Sequence, residues 1–471
     1  MNTPSSTPQV DFTLPLTREE AERILALGPE AAIFVMLELS ARLAEQHKGL
    51  PSPSTPSGMV PPYHKPAASK RCKKPGAKPG HPGRRRPPPP EITHHDEHPP
   101  LTHCPQCGSA VGAATERRFR LIEEIVENQP EVTKHSIPRH WCPACKKLVE
   151  PPVVDAMPRA TFGHRLVALT AWLHYGVGTT ISQVLAVLNH HLHFKLSQGG
   201  LVNAWQGLAA ILLAWYAEIG EQVKASGVLH ADETGWRVSG RTHWLWCFTT
   251  RKATYYMIDR SRGSPALSKF FTSAFDGILV TDFWAAYNAV VCAARQACLP
   301  HLFRELDKTD DADPSAPWAR FSKKLKRLLR DAMRLGKRDG LPQERYASRR
   351  ARLDRRLGAL LDTESSNKNV KRLLKRLRRY RDALFTFLDH PGVPSDNNHA
   401  EREIRPAVVM RKTSLCNRSE NGAHVQAILM SVYRTLNLRG LDPLETIVSA
   451  LKDYVRTGSL PPLPDETTSL G

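Results

Sequence analysis

A chain of 471 residues with 41% hydrophobic content fills at least one sizeable core and has room for two to four compact units, which excludes a wholly disordered polymer. Its 66 Lys and Arg against 46 Asp and Glu leave a formal charge of +20, with a pI of about 9.7. That surplus favours a polyanionic partner, most commonly nucleic acid, over a merely basic soluble protein.

Residues 1–48 read as an N-terminal helical element. Met1 to Leu16 lack the basic start and apolar run of a secretory signal. Thr17 is placed to cap a helix, Glu20 sits at the capping-box position, and Gly28-Pro29 breaks the run. Ile33, Met36, Leu37 and Leu43 fall at helical spacing and offer a pairing face. Residues 49–92 then turn to Pro, Gly, Ser, Lys and Arg, a composition that forms no core. Their cations Lys70, Arg71, Lys73, Lys74, Lys78, Arg84, Arg85 and Arg86 belong either to a solvated linker or to an arm that neutralises DNA phosphates.

Residues 93–155 contain two C-x2-C knuckles, Cys104-Pro-Gln-Cys107 and Cys142-Pro-Ala-Cys145, each able to place two thiolates on one tetrahedral ion. Each knuckle is too short to close comfortably as a disulfide, and the remaining cysteines are scattered singly, as in a reduced cytosolic protein. Four ligands leave no open position, so a zinc here is structural, in a zinc-ribbon-like unit. Phe119 to Val126 and Ile137 to Trp141 are expected to be its strands, with His94, His95, His98 and His103 on its surface. Residues 156–226 read as helical, with a turn near Gly176 to Thr180, a helix from Ile181 to Leu188 and another starting at Ser197. That spacing suits a helix-turn-helix-like DNA-binding region in which Ser197 to Trp205 reads a groove, although so few basic side chains suit packing nearly as well. The apolar stretch Leu201 to Ile219 is interrupted by Asn203 and Gln206, which favours a packed helix over a membrane span.

Residues 227–318 change to strands. Val228 to Asp232 is an apolar run ending in a carboxylate; Thr234 to Val238 and His243 to Thr249 flank the hairpin turn Ser239-Gly240-Arg241. Ala253 to Ile258 is a third strand, and Gly277 to Thr281 a fourth that ends at Asp282. Strands in this order followed by helices predict the first part of an RNase H-like α/β core. Two aspartates at the ends of adjacent strands can share divalent cations, and hard carboxylate oxygens suit Mg²⁺ or Mn²⁺. Residues 319–390 are a basic helical insertion. Lys323, Lys324, Lys326, Arg327, Arg330 and Lys371, Arg372, Lys375, Arg376, Arg378, Arg379 place charge on more than one face, for gripping DNA backbone, and leave Leu325, Leu328, Leu329, Leu373, Leu374 and Leu377 for packing. Residues 391–458 are the helical end of the core and 459–471 a tail.

Three blocks, Asp232-Glu233-Thr234-Gly235-Trp236, Thr281-Asp282-Phe283-Trp284-Ala285-Ala286-Tyr287 and Asp396-Asn397-Asn398-His399-Ala400-Glu401-Arg402-Glu403-Ile404-Arg405-Pro406, resemble the catalytic blocks of the insertion-sequence-66 transposase family. The resemblance extends to the knuckles, the helical segment and the basic linker. It implies a DDE recombinase that binds its element's terminal inverted repeats, nicks DNA with water and joins the freed 3′-OH to target DNA. The implied acidic triad is Asp232, Asp282 and Glu401, with catalytic Mg²⁺ or Mn²⁺ and structural Zn²⁺ on Cys104, Cys107, Cys142 and Cys145. The expected setting is the cytoplasm, associated with the nucleoid, as a homo-oligomer on DNA with small accessory proteins of the same element and no membrane. Cys298-Leu-Pro-His301 resembles a Cys-x2-His element of related transposases, so His301 either contacts the scissile phosphate or packs in the core.

The third carboxylate has rivals nearby. Glu401 and Glu403 differ by roughly 200° around a helix, so only one can face the site. Alternatively Asn398 caps the helix and Glu401 closes a capping box. Arg402 and Arg405 share a side and can meet phosphate, and Pro406 is expected to end or kink the helix. Two other functions compete with transposition: an RNase H-like nuclease or resolvase, and a DNA-binding regulator whose carboxylates are inert.

Overall fold

The computed structural model describes residues 17–48, 91–114, 116, 118–119, 121–122, 130–338 and 340–465. The cations Lys70, Arg71, Lys73, Lys74, Arg84, Arg85 and Arg86 lie outside them. At the N-terminus Thr17 caps α1 (Arg18–Ala26), with the Thr17–Glu20 capping box formed in both directions. Gly28, at φ +102°, turns the chain into α2 (Pro29–Lys48), which starts on the proline. Ile24, Ala31 and Val35 are buried, whereas Ile33, Met36 and Leu37 remain exposed.

The knuckle-bearing segment carries one small hairpin, β1 (His140–Cys142) against β2 (Lys147–Val149). The strand expected from Ile137 is thus confined to its last two residues plus Cys142. At the other expected strand, Phe119 is 88% exposed and outside any ladder, and Glu123 to Val126 lie outside the described residues. Of the described apolar residues that suggested a strand, Phe119, Leu121 and Ile122 are all exposed.

From Gly163 the chain is helical: α3 (His164–Ala171), a π-helical turn Trp172–Val177, α4 (Ile181–His191) and α5 (Gln198–Lys224). Thr180 and Ser197 cap α4 and α5 through their hydroxyls. Among the described residues, α5 is the one helix long and apolar enough to cross a membrane. Its Trp205, Leu208, Leu212, Trp215, Ile219 and Val223 are buried in a core shared with the sheet. No Lys or Arg occurs between Gln198 and Val223, so the segment expected to read a groove, Ser197 to Trp205, presents no Lys or Arg to a phosphate; Lys224, the last residue of α5, pairs with Glu221.

A five-stranded sheet follows, built from β3 (Val228–Val238), β4 (Arg241–Thr249), β5 (Thr254–Asp259), β6 (Phe275–Thr281) and β7 (Cys292–Ala297) in the order β5-β4-β3-β6-β7. The first three form an antiparallel meander, and β6 and β7 run parallel to β3. The β3–β4 hairpin closes on Ser239 and Gly240, whose positive φ values of 50° and 74° are those of a type I′ turn. Between β5 and β6 lies α6 (Ser264–Phe270), and a 3₁₀ turn Ala285–Ala289 precedes β7.

The alternation of β6 divides the molecule into layers. Leu279 joins the core made with α5 and the C-terminal helices α12 (Asn398–Ser414), α13 (Glu420–Leu438) and α14 (Pro443–Thr457). Ile278 and Val280 join a second core, shared with α7 (Leu299–Ala312), α8 (Ala316–Leu335), α9 (Gln343–Leu361), α10 (Lys368–Arg379) and α11 (Thr386–Asp389). Leu325, Leu328, Leu329, Leu373, Leu374 and Leu377 all lie in that second core, as their spacing requires.

Pro406 neither ends nor sharply divides α12, which continues eight residues beyond it to Ser414. The missing N–H costs one bond to the Arg402 carbonyl. Packing of Ile404, Ala407 and Met410 on both sides of the proline holds the helix together.

Candidate active site

The site grows from strand register. On the parallel pair, Val228 lies opposite Ile278 and His230 opposite Val280. Continued by two residues, that register sets Asp232 opposite Asp282, on the sheet face covered by α7. Next door Thr281 pairs with Ala297, which brings Cys298, the N-cap of α7, to the same end of the sheet. Asp232 accepts a bond from the Glu233 N–H (2.9 Å), and Asp282 from the Trp284 N–H (2.8 Å), so each carboxylate is oriented by its own chain. Burial pushes the Asp232 carboxyl well above the usual range, and the nearby charges of Glu233, Asp282 and Glu401 push it further.

Three polar clamps seat the start of α12 over this end. Buried Asn397 accepts from His230 Nδ1 (3.0 Å) and donates to the Ala231 carbonyl (2.8 Å), tying the helix to the strand beside Asp232. Burial takes the His230 ring down to about 4, so it stays neutral and donates through Nδ1. His399 Nε2 donates to the Thr250 carbonyl at the end of β4 (2.6 Å). Glu403 turns inward, 4% exposed, and pairs with Arg434 of α13 (2.6 Å), while its carbonyl accepts from Tyr256 (2.5 Å). Glu403 thus points away from the sheet's carboxylate end, as the helical offset from Glu401 requires. The capping-box alternative does not form either: Asn397 is the N-cap and its side chain makes no cap bond, while Asp396 accepts from the Asn398 N–H (3.0 Å).

Glu401 stays on the open side, one third exposed. Its Oε1 accepts from Arg304 of α7 (2.6 Å) and lies 3.6 Å from His301 Nε2. Cys298, His301 and Glu401 place one ligand atom each within 4.8 Å of one another, the one such group among the described residues. Asp232 and Asp282 are not drawn into it, so the three expected carboxylates share a cleft without converging on one point. Burial, then the Arg304 charge, lowers the His301 pKa against the opposing pull of Asp282 and Glu401. The thiol of Cys298, pushed up to about 12 by burial, accepts the Asn397 N–H (3.2 Å). Arg402 and Arg405 are exposed on α12.

A second layer of support had no assigned role in the sequence. Glu233, its side chain 2% exposed, accepts from Tyr287 (2.6 Å) and from Arg262 (2.9 Å). Arg262 is held between two rings, with its guanidinium carbon 4.5 Å from the Trp244 centroid and 4.0 Å from that of Trp284. Burial and the Asp282 charge still leave Glu233 raised to about 7. Glu233, Trp284, Tyr287 and Asn397 all lie within the three quoted blocks, which was a usable signal. Nothing local marked Arg262 or Arg304.

Comparison with known proteins now has a geometry to attach to. Residues 159–425 match the sequence model described as "Transposase IS66 family", which covers more than half of the chain. The chain belongs to the IS66 transposase family. Residues 102–146 match the zinc-finger binding domain of transposase IS66, so the knuckles are those of a family zinc finger. Two curated relatives come from Sinorhizobium fredii (strain NBRC 101917 / NGR234). The "Uncharacterized protein y4qI" is 27% identical over 286 residues, covering 53% of this chain and 52% of that protein. The "Uncharacterized protein y4hP" is 23% identical over 413 residues, covering 75% and 71%. The chain thus spans about half the length of the first of these relatives and 71% of the second.

Within the zinc finger, each knuckle brings its own pair together. The Cys107 thiol is lowered by bonds from the Ser109 backbone and hydroxyl and from Cys104, and Cys142 by bonds from the Cys145 backbone and thiol. The four sulfurs do not gather within 4.8 Å among the described residues.

Proposed function

We propose that this transposase binds the terminal inverted repeats of a mobile element, nicks their strands and transfers the 3′-OH ends to target DNA, using Asp232, Asp282 and Glu401 on an RNase H-like core. The observation that carries the reading is the parallel pairing of β3 with β6 up to His230 opposite Val280, two residues short of Asp232 and Asp282, beneath the helix that bears Glu401. The order β5-β4-β3-β6-β7, antiparallel then parallel, supports the core assignment. Two pairs of facing thiols support one structural zinc on Cys104, Cys107, Cys142 and Cys145.

In the first step a water oxygen attacks the scissile phosphorus, the P–O3′ bond breaks, and the departing oxygen takes a proton to become a 3′-OH. In the second that hydroxyl attacks a target phosphorus, loses its proton, and displaces the target's own 3′-oxygen. Mg²⁺ or Mn²⁺, held by Asp232, Asp282 and Glu401, would activate the attacking oxygen and stabilise the leaving one. The donor set fits: all three are hard oxygens, and the mutual repulsion that raises Asp232 is what a cation relieves. Glu401 must first leave Arg304, which then becomes free to meet a phosphate oxygen. We assign His301, beside Glu401, to contact with the scissile phosphate. We assign α5 to packing, and sequence-independent DNA contact to the basic arm at residues 49–92 and the helical insertion.

Incubation of the purified chain with labelled element ends and Mg²⁺ tests the reading. Joined products are expected. Cut but unjoined ends would identify a nuclease or resolvase, and bound but uncut ends a regulator.

A further inference from the structure

The basic stretch Arg320 to Arg381 looks uniform in sequence, but the fold sorts its cations into two populations. One turns to carboxylates. Lys326 pairs with Asp307 and Asp310, and Arg350 with Asp354 and Asp389. Arg372 and Arg376 both pair with the buried Glu305 of α7. These side chains fasten the helices to one another.

The other population lines a groove of about 790 Å³ between α8 and α9. Its floor is leucine. Its walls carry Lys324, Arg327 and Arg334 from α8, Arg338 from the turn that follows it, and Arg349, Arg352 and Arg356 from α9. On α8 these positions, with Asp331 between them, step by three and four residues, which aligns them along one helix face; the α9 cations follow the same rule. Asp331 is the one carboxylate in the lining, and it is taken by Arg356 (2.8 Å) and approached by Arg334 (3.9 Å). Among the described residues Lys324, Arg327, Arg338, Arg349 and Arg352 have no ion-pair partner. Two like-charged stripes facing each other destabilise a helix pair, whereas a polyanion laid between them reverses the sign of that interaction. From Lys324 to Arg334 the α8 stripe rises about 15 Å. That is roughly the span of five consecutive phosphates along one strand of a duplex.

We propose that the α8–α9 groove is a binding site for the phosphodiester backbone of duplex DNA, separate from the cleft at Asp232. It rests on the reading of this chain as a DNA-cutting transposase, and it commits to this groove over the cation run on α10. There the outward Lys371, Lys375 and Arg379 face no second stripe, and their neighbours Arg372 and Arg376 are already bound to Glu305.

The test uses the full-length zinc-loaded chain and a fluorescent duplex without Mg²⁺, read by anisotropy across a salt series. The triple variant R327A/R349A/R352A is compared with K371A/K375A/R379A, after thermal melts establish that both fold as the parent does. The groove variant should bind at least tenfold more weakly in moderate salt, with a salt slope shallower by about 2 to 3. The α10 variant should change less on both counts. An unchanged slope for the groove variant, or a larger effect from α10, overturns the proposal, as does a change in self-association with DNA binding intact. Binding that depends on the groove in a chain that never cuts would overturn the proposed function and leave the groove standing. Cutting that is indifferent to the groove would do the reverse.

Discussion

The zinc finger and the sheet's carboxylate end are built on opposite physical terms. Between residues 91 and 156 none of the described residues is buried, and Trp141 in the hairpin is 63% exposed. The described residues of this segment supply no apolar core to set against chain entropy, so on the proposed reading its order comes from the metal. At the sheet, by contrast, Asp232 sits on a strand paired on both sides, beneath a helix clamped through Asn397, His399 and Glu403. There the scaffold comes first and the cation would bind a site already shaped. One region needs its metal to fold; the other needs it only to react.

That contrast can be broken most directly at the sheet. Asp282→Asn should reduce nicking and joining to background while element-end binding stays within about twofold, because it removes a ligand and no DNA contact. Gel assays of both steps check this, and joining at the parental rate would end the assignment of Asp282 as a metal ligand. Glu401→Gln should also be inactive in Mg²⁺ yet melt like the parent. Glu403→Gln should do the opposite: it leaves Arg434 without its carboxylate, costing about 3 kcal/mol of stability, and keeps joining at temperatures where the chain is folded. A reversed ranking in activity would move the third ligand to Glu403.

At the zinc finger, chelation should unfold residues 102–146 and leave the melting of the sheet core in place. Proteolysis that spared the knuckles after zinc removal would contradict a metal-ordered unit. One zinc per chain is the expected stoichiometry by metal analysis. A smaller effect is expected from Glu233→Gln, which weakens the Arg262 and Tyr287 contacts behind Asp232 without touching a ligand. Activity or Mn²⁺ affinity should fall by about 10- to 100-fold. The smallest is at the arm, where neutralising Arg84, Arg85 and Arg86 should flatten the salt dependence of binding by at most about 2.7 in slope and weaken all sequences alike.

The features legible in the sequence are those set by local chemistry. The Thr17 box, the Ser197 cap, the Ser239-Gly240 turn and the apolar runs before Asp232 and Asp282 each depend on a few adjacent residues. β7 was missed because Cys-Ala-Ala-Arg-Gln-Ala carries neither alternation nor β-branched side chains; it is a strand because β6 pairs with it. The reading of Pro406 as a helix end failed for a related reason, since the apolar contacts of Ile404 and Met410 outweigh one lost bond. In the site, the carboxylates stood in recognisable blocks, but Arg262 and Arg304 act across 29 and 97 residues of chain, and no spacing rule reaches that far. The basic insertion was read correctly as helical. Which of its cations are spent on Glu305 and Asp389 depended on how the helices pack.

The clamp between Asn397 and the backbone beside Asp232 spans 166 residues of sequence. A chain still on the ribosome can complete the sheet as soon as β7 emerges, but it has no seat for Glu401 until α12 follows. At 5 to 20 residues per second the gap between Asp282 and Glu401 lasts roughly 6 to 24 s. Throughout that interval, and in any fragment truncated before Asp396, two of the carboxylates are present without the third. On this reading a nascent or broken chain grips DNA through its basic segments without cutting it, and synthesis itself delays the nuclease until α12 has been made.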